Sequence, residues 1–480
     1  MTCPTCRILF LQCYRPQRRG SPGPRFDAEL GVLSAVLAEQ GHETGLLRLG
    51  SFEPSIVGER ITRFRPDVLY ADIAPTCPDL ARRVLGHTGR KHGLHTIAGG
   101  VFVTVEPEAA LSFPGVDAVV VGEPERAFPA YLAAHLTGEP GDPIPGVWCR
   151  DERGMIRTAV HPLTTDLDSL PFADRALFDN GEPAADRACQ TVSVGRGCPL
   201  RCAYCPNERV ADLYAGQGPH VRRRSPDNIC DEIDQICMAY PDTVRIRFDD
   251  HLFALDELWL AGFTEVYARR CGVPFECHLQ ARLVSDRVAD LLVTAGCVAA
   301  DIDVVSASDF VRNEILAMDL SDEQLIAAFD RLRSRGITIR AISLIGAPYC
   351  TEMSAAALVK LDRRLKPDRH EVRVFHPLPG TRALDICREA GWLSNRGEEN
   401  YTLQRSILDM PNMPAATIER VARRLGRKLG ANGPPGFWGR LGGIPLGRSR
   451  RLGHPSAALR ARRISRTRDG DGNAPTISTH

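Results

Sequence analysis

The sequence predicts an α/β chain in which a doubly wound, Rossmann-like domain precedes a partial (β/α)6 barrel and a helical C-terminal extension. Residues 1–140 alternate short apolar runs with amphipathic stretches, as in a parallel sheet covered by helices. Residues 141–188 are rich in Pro, Gly and Asp, which predicts a linker. Strand and helix signals then resume over 189–385 and give way to a helical extension at 386–432. The Gly-, Pro- and Arg-rich segment 433–480 is predicted to be a disordered tail.

The elements of the first domain are predicted from short apolar runs separated by amphipathic segments, one of which stops at Gly41. In such sheets the ligand binds beyond the carboxyl ends of the strands. The predicted strands are Arg7–Leu11, Thr44–Leu49, Val68–Ile73, His95–Ala98 and Ala118–Val121, and the predicted helices are Phe26–Gln40, Pro78–His92 and Glu125–His135. A small hairpin is predicted at Val147–Thr158, within the linker.

The barrel is predicted from six further strand signals with five helices between them. Its chemistry is expected at the carboxyl ends of the strands. The strands are Thr191–Val194, Val244–Phe248, Phe275–Leu279, Val298–Val305, Thr338–Ile345 and Glu371–Phe375. The helices are Asp227–Ala239, Asp256–Arg270, Ser285–Thr294, Asp322–Ser334 and Met353–Leu365.

Composition excludes several classes of function. The net charge of +1 over 480 residues provides no field to attract nucleic acid, so no nucleic-acid partner is expected. The sequence contains no apolar run of about 18 residues, so no membrane span is predicted. Its first residues lack the layout of a secretory signal, and we expect a cytoplasmic protein. The sixteen cysteines are scattered, which in a reducing compartment indicates free thiols.

The most informative motif is the CxxxCxxC formed by Cys198, Cys202 and Cys205, directly after a predicted strand. Three thiolates in eight residues can hold three irons of a [4Fe–4S] cluster, whereas full ligation takes four cysteines. The motif therefore leaves one iron open for another ligand. A zinc site remains the alternative, although such sites usually add a second Cys/His pair a dozen or more residues away.

This loop, with Tyr204 before its last cysteine, resembles the cluster loop of the radical S-adenosylmethionine (SAM) enzymes. The first domain is similar to the cobalamin-binding domain that precedes many such barrels, class B methyltransferases among them. The resemblance implies a [4Fe–4S] cluster, SAM and cobalamin as cofactors. It places cobalamin at residues that follow three predicted strands, where paired glycines allow close approach: Thr76, Gly99, Gly100, Gly122 and Glu123.

A cobalt-binding histidine is not expected, because the nearest match to the family's histidine motif, around His42, lacks the motif's Asp and lies ahead of the second strand. In the barrel, the resemblance assigns SAM binding to Tyr204, the SAM ammonium to Asp249 and Asp250, and the adenine turn to Gly346. One departure concerns the fourth barrel strand, where the family's Glu-Ser-Gly becomes Val305-Ser306-Ala307 and a carboxylate is missing.

The resemblance implies a cobalamin-dependent methyltransferase. In that family a 5′-deoxyadenosyl radical abstracts hydrogen from an unactivated carbon, and methylcobalamin then delivers the methyl group. The implied partners are a small-molecule or peptide substrate and an electron donor such as flavodoxin or ferredoxin. The alternatives are an oxidative cyclase or ring-rearranging enzyme with the same cofactors, and a non-catalytic zinc-binding protein. The methylthiolating RNA-modifying enzymes are disfavoured, because they carry a basic RNA-binding module, whereas this chain has a net charge of +1.

Overall fold

The structure is a computed structural model that describes residues 5–15, 26–138, 142–152, 154–179, 188–394 and 404–430. Residues Met1–Gly433 form one compact unit. The predicted tail at 433–480 lies outside the described residues. Within the described ranges, no helix combines the length and the apolar character needed to cross a membrane.

The first sheet has seven strands in the order β2-β1-β3-β4-β5-β6-β7, of which the first five pair in parallel and the last two are antiparallel. The order 2-1-3-4-5 is that of a doubly wound fold, which confirms the predicted class. The strands are β1 Arg7–Cys13, β2 Glu43–Leu49, β3 Val68–Asp72, β4 His95–Gly99, β5 Ala118–Val120, β6 Val147–Asp151 and β7 Gly154–Ile156.

Helices cover both faces of this sheet, and apolar residues pack on each face. The helices are α1 Ala28–Glu39, α2 Pro54–Phe64, α3 Pro78–His92, α4 Val101–Val105, α5 Pro107–Leu111 and α6 Pro124–Thr137. The sequence analysis did not predict α2, α4 or α5. Helix α2 buries just two side chains, Val57 and Ile61, so its apolar signal is weak.

The predicted hairpin at Val147–Thr158 is present as β6 and β7. The sequence analysis did not predict that it joins the first sheet. Strand β6 pairs with β5, with Val147 opposite Val120 and Cys149 opposite Ala118. This part of the predicted linker therefore extends the first sheet. Residues 180–187 of the predicted linker lie outside the described residues.

The second sheet contains six parallel strands in the order β15-β14-β13-β12-β11-β8, which confirms the predicted partial barrel. Strands β9 and β10 form a separate two-stranded antiparallel ribbon beside the cysteine loop. The strands are β8 Cys189–Val192, β9 Gly195–Arg196, β10 Arg222–Arg223, β11 Arg245–Phe248, β12 Phe275–Leu279, β13 Cys297–Val305, β14 Thr338–Ile345 and β15 Arg369–Val374.

Helices surround the barrel, and several begin at serine or aspartate caps, such as Ser285 before α10. The predicted helix at Met353–Leu365 is split into α12 and α13. The helices are α7 Asn207–Leu213, α8 Pro226–Ala239, α9 Glu257–Arg270, α10 Asp286–Ala295, α11 Asp322–Ser334, α12 Glu352–Ala356, α13 Leu358–Leu365, α14 Arg382–Glu389 and α15 Ala415–Lys428. Helix α15 belongs to the predicted C-terminal extension and buries Ile418 and Val421 in the barrel core.

Candidate active site

The cysteine loop runs from the ribbon strand β9 to helix α7, at the carboxyl end of the first barrel strand. Its first residue, Gly197, has φ +86°, and a Cβ there would lie 2.1 Å from the carbonyl oxygen of His220. Only glycine fits such a close approach. The centre of the loop is held by the backbone of Ala203, which donates to Leu316 (2.9 Å) and accepts from Ala383 (2.8 Å). The loop is therefore anchored to the barrel on several sides.

The three cysteines of the loop influence one another electrostatically. Burial, reinforced by the neighbouring thiols, raises the pKa of Cys202 to about 12 and that of Cys205 to about 11. Burial also raises the pKa of Cys198. Thiolates are the form that binds metal, so an iron cluster would supply the positive charge that this group of thiols lacks. Three sulfur donors on one short loop fit the donor set of a [4Fe–4S] cluster.

Two residues near the thiols were missed by the sequence analysis. The positive charge of Arg282, after β12, lowers the pKa of both Cys198 and Cys202 against the effect of burial. Asp303, in β13, lies close enough to Tyr204 to contribute, after burial, to a Tyr204 pKa well above its ordinary value. The sequence feature that could have identified Arg282 and Asp303 is a charged residue within or just after a predicted strand.

Asp303 also bears on the missing carboxylate of the fourth barrel strand. Val305 is buried at φ +57°, an outlier for a β-branched residue, and the pairing of β13 with β14 shifts between Asp303 and Val305. The strand thus bulges where the family motif would stand, and it carries its carboxylate two residues earlier. Burial would raise the pKa of Asp303, but the charges of His278, His251 and Arg373 hold it below its ordinary value.

The two aspartates after β11 have different surroundings. Asp250 accepts a hydrogen bond of 2.7 Å from the backbone N–H of Val194, so it ties this loop to the end of β8. Burial raises the pKa of Asp250 to about 6. Asp249 is exposed and lines a cavity of about 370 Å³ together with Cys198. Both aspartates line this cavity, and Asp249 is the more exposed of the two.

Gly346 is placed differently from the other predicted site residues. It has φ +89°, and a Cβ on it would lie 2.5 Å from Cγ2 of Ile418. The glycine therefore permits helix α15 to pack on the turn after β14. Gly346 is buried beneath this helix.

The 370 Å³ cavity lies between the two domains. Asp27 and Glu29, at the start of α1, line it from the first domain. Cys198, Asp249 and His251 line it from the barrel. A ligand in this cavity would contact the cysteine loop and the carboxyl edge of the first sheet together.

A second cavity, of about 150 Å³, lies at the carboxyl edge of the first sheet. Gly100, Gly122 and Glu123 line it, as predicted for a ligand of this domain. It shares Arg196 and Gly197, among other residues, with the larger cavity, so the two adjoin. Not every predicted residue lies there. Thr76 is exposed and does not line either of these cavities, and a Cβ on Gly99 would collide with the Tyr70 hydroxyl.

Two buried acceptor atoms at the smaller cavity would suit donors of a bound corrinoid. Oε2 of Glu125, which lines it, and Oε1 of the nearby Gln12 are buried without a hydrogen-bond partner among the described residues. Buried acceptors of this kind need donors, and the amide groups around a corrin ring are donors. Glu123 is already engaged, because it pairs with Arg222 and Arg196 of the ribbon.

His42 does not face this cavity edge. It is buried, and its Nδ1 accepts from the backbone N–H of Cys6 at 3.2 Å. That contact is at the amino end of β1, whereas the cavities lie at the carboxyl end of the sheet. His42 therefore lies at the opposite edge of the sheet from both cavities.

Comparison with known proteins supports both domains. Residues 22–132 match the B12 binding domain family, and residues 192–361 match the radical SAM superfamily. Cytidylyl-2-hydroxyethylphosphonate methyltransferase of Streptomyces wedmorensis is 23% identical, over 86% of this chain and 88% of its own. Anaerobic magnesium-protoporphyrin IX monomethyl ester cyclase of Synechocystis sp. is 27% identical, over 47% of this chain and 46% of its own.

Solved structures show the same arrangement of domains. The radical SAM methyltransferase TsrM of Kitasatospora setae, with cobalamin and a [4Fe–4S] cluster bound, superposes with a TM-score of 0.63 at 17% identity. The match covers 82% of this chain and 76% of that one. The cobalamin-dependent SAM radical enzyme OxsB superposes with a TM-score of 0.62 at 15% identity, covering 89% of this chain and 62% of that one. At these identities the likeness establishes a shared fold.

Proposed function

Because the chain belongs to the radical SAM enzymes that carry a B12-binding domain, we propose that it is a cobalamin-dependent methyltransferase. The two matched domains make a [4Fe–4S] cluster, SAM and cobalamin its cofactors. The proposed acceptor is an unactivated carbon of a small molecule or peptide. Relatedness to a curated methyltransferase over 86% of the chain supports methyl transfer.

The observation that carries the proposal is the junction of the two cavities. Cys198 lines one and Gly100 and Gly122 line the other, while Arg196 and Gly197 border both. A group bound on the cysteine loop and a group bound on the first sheet would therefore face a common space. Transfer of a methyl group between them requires such proximity, because reacting atoms must approach within about 3–3.5 Å.

The residues of the site divide into three proposed roles. Cys198, Cys202 and Cys205 would hold the cluster, and Asp249 would pair with the SAM ammonium. Arg282 is the cation in position to balance negative charge beside the thiols.

On the first domain, Gly100 and Gly122 line the cavity beside which cobalamin would bind, and their lack of a Cβ accommodates Asp72 and the Tyr214 hydroxyl at its edge. Bound in these places, the cofactors would supply reductive cleavage of SAM and methyl transfer, while the protein orients them and limits access of water.

A second candidate is an oxidative cyclase or ring-rearranging enzyme with the same cofactors. One observation favours it, namely the 27% identity over 245 residues to a curated cyclase. Both candidates need the same cluster loop. They differ in whether the methyl group of SAM reaches the corrinoid.

The experiment uses anaerobically purified enzyme loaded with cluster and cobalamin, SAM labelled with 13C in its methyl group, and dithionite or reduced flavodoxin. A methyltransferase is expected to transfer the label to the extracted corrinoid and to release S-adenosylhomocysteine, even without substrate. Methionine and 5′-deoxyadenosine with an unlabelled corrinoid would favour the cyclase. Zinc in place of iron after reconstitution with iron and sulfide, with SAM uncleaved, would overturn both candidates.

A further inference from the structure

Three side chains at the ends of neighbouring barrel strands converge beside the cysteine loop. His251 follows β11, His278 lies in β12 and Asp303 lies in β13. One nitrogen from each histidine and one oxygen of the aspartate all lie within 4.8 Å of one another. We propose that His251, His278 and Asp303 bind a divalent first-row transition metal ion, distinct from the iron of the cluster.

The donor set supports a metal ion. Two imidazoles and one carboxylate are ligands that zinc and iron(II) take in proteins, where catalytic sites keep a further position open. Around a tetrahedral zinc with bonds of about 2.1 Å, neighbouring ligand atoms are roughly 3.4 Å apart. The donor atoms lie within 4.8 Å of one another, so the most widely spaced pair would have to close by at most about 1.4 Å, which side-chain rotation can provide. His278 and Asp303 are already 3.0 Å apart.

The charges around the three residues leave Asp303 available. Deeper in the barrel, Arg247 pairs with Glu276 at 2.8 Å and with Asp301 at 2.9 Å. The arginine whose charge lowers the pKa of Asp303 is Arg373. Its guanidinium donates a hydrogen bond of 2.7 Å to Glu371. The surrounding acids and bases thus neutralise one another. The carboxylate of Asp303 lies 3.0 Å from Nε2 of His278 and within 4.8 Å of a ring nitrogen of His251.

The position gives the metal access to a ligand. His251 is exposed and lines the 370 Å³ cavity with Cys198 and Asp249, whereas His278 and Asp303 are more enclosed, with 16% and 28% of their side chains exposed. An ion held there would have protein on one side and the cavity on the other. Its open position is suited to an oxygen atom of a bound molecule. This last step rests on the proposed function, whereas metal binding itself does not.

The test measures metal content and coordination without assaying turnover. The enzyme, loaded anaerobically with cluster and cobalamin, is dialysed against zinc buffered by a chelator, and zinc, iron and cobalt are counted together. We expect one zinc per chain more in the wild type than in His278→Ala, with iron and cobalt equal. A matched control, His161→Ala, removes a histidine that lines neither cavity and is expected to keep the zinc.

X-ray absorption at the zinc edge then identifies the ligands. Nitrogen and oxygen neighbours at about 2.0–2.1 Å are expected, whereas binding by stray thiols would give sulfur at roughly 2.3 Å. If His278→Ala does not fold, Asp303→Asn serves in its place, with the cluster absorbance as the check on folding. Equal zinc in wild type and variants, or sulfur ligation alone, would overturn the proposal and leave the three residues as a hydrogen-bonded group. Because the readout requires no reaction, its failure is separate from failure of the methyltransferase proposal.

Discussion

The guanidinium of Arg222 donates two hydrogen bonds, of 3.0 and 2.5 Å, to the carboxylate of Glu123. Arg222 lies in the ribbon beside the cysteine loop, and Glu123 follows the last parallel strand of the first sheet. Burial would raise the pKa of Glu123, but hydrogen bonding to Arg222 and the charge of Arg196 hold it below its ordinary value. Arg196, one residue before the loop glycine, also pairs with Glu125 at 2.5 Å. These ion pairs join the two cofactor-binding regions.

Breaking this buried pair is expected to destabilise the fold strongly. In Glu123→Gln, the buried Arg222, with 3% of its side chain exposed, no longer pairs with a negative charge at position 123. The free energy of unfolding is expected to fall by roughly 3 kcal/mol. The exposed pair of Arg157 and Glu108 is the matched control, and Glu108→Gln is expected to change stability by less than about 1 kcal/mol. Anaerobic denaturant unfolding measures both. Equal effects of the two substitutions would contradict the importance assigned to the pair.

Replacing any cysteine of the loop by alanine is expected to remove the intact cluster and all cleavage of SAM. The reason is that Cys198, Cys202 and Cys205 would each hold a different iron. Cys387→Ala is the control, because Cys387 is fully buried in helix α14 and packs as a small apolar residue. Iron content and 5′-deoxyadenosine formation are the measurements. Retained cleavage in any one loop variant would contradict the assignment of the cluster.

Glu29 is expected to make stability depend on pH. Glu29 is exposed within the cavity between the domains, where desolvation by the surrounding protein raises its pKa to about 7 from an ordinary value of 4.5, with Arg196 opposing and Asp27 adding to the rise. The folded state therefore keeps a proton that the unfolded state releases at lower pH. Stability contributed by this proton is present below pH 4.5, falls as pH rises to about 7, and is constant above that.

Substitution of Glu29 by Gln tests this dependence. The variant is expected to lose less stability than the wild type between pH 5.5 and roughly 7.5, measured by anaerobic denaturant unfolding. A residual slope of the same sign is expected, because burial also raises the pKa of Asp27 and Asp72. An unchanged slope in Glu29→Gln would show that this carboxylate is not desolvated in the cavity.

Gly100→Ala is expected to lower cobalt content while leaving iron unchanged. A Cβ at this position would lie 2.3 Å from Oδ1 of Asp72, and φ is +93° with ψ 179°, a region in which side chains are strained. Gly93→Ala is the control, since Gly93 also has positive φ but nothing within 4 Å of its Cβ position. Metal analysis after loading measures the result. Equal cobalt in both variants would argue against a corrinoid beside Gly100.

The sequence predicted the strands well because their apolar runs are buried on both faces, as at Val68–Asp72. It did not predict α2, which buries few residues, or the pairing of β6 with β5, which depends on a long-range contact. At the site, local spacing identified the three cysteines. The convergence of His251, His278 and Asp303 depends on the order of three strands, and the packing of Ile418 against Gly346 depends on a helix more than 70 residues away. Neither of these two contacts produces a local pattern in the sequence.

The ion pairs between the ribbon and the end of β5 constrain how chimaeras of such enzymes can be built. A first domain taken from a relative would have to bring acidic residues at the positions of Glu123 and Glu125, or the resident barrel would retain buried arginines without these partners. Exchanging the domains together with their ribbon contacts preserves this match. The two halves of the chain are thus expected to be inherited, and engineered, as a pair.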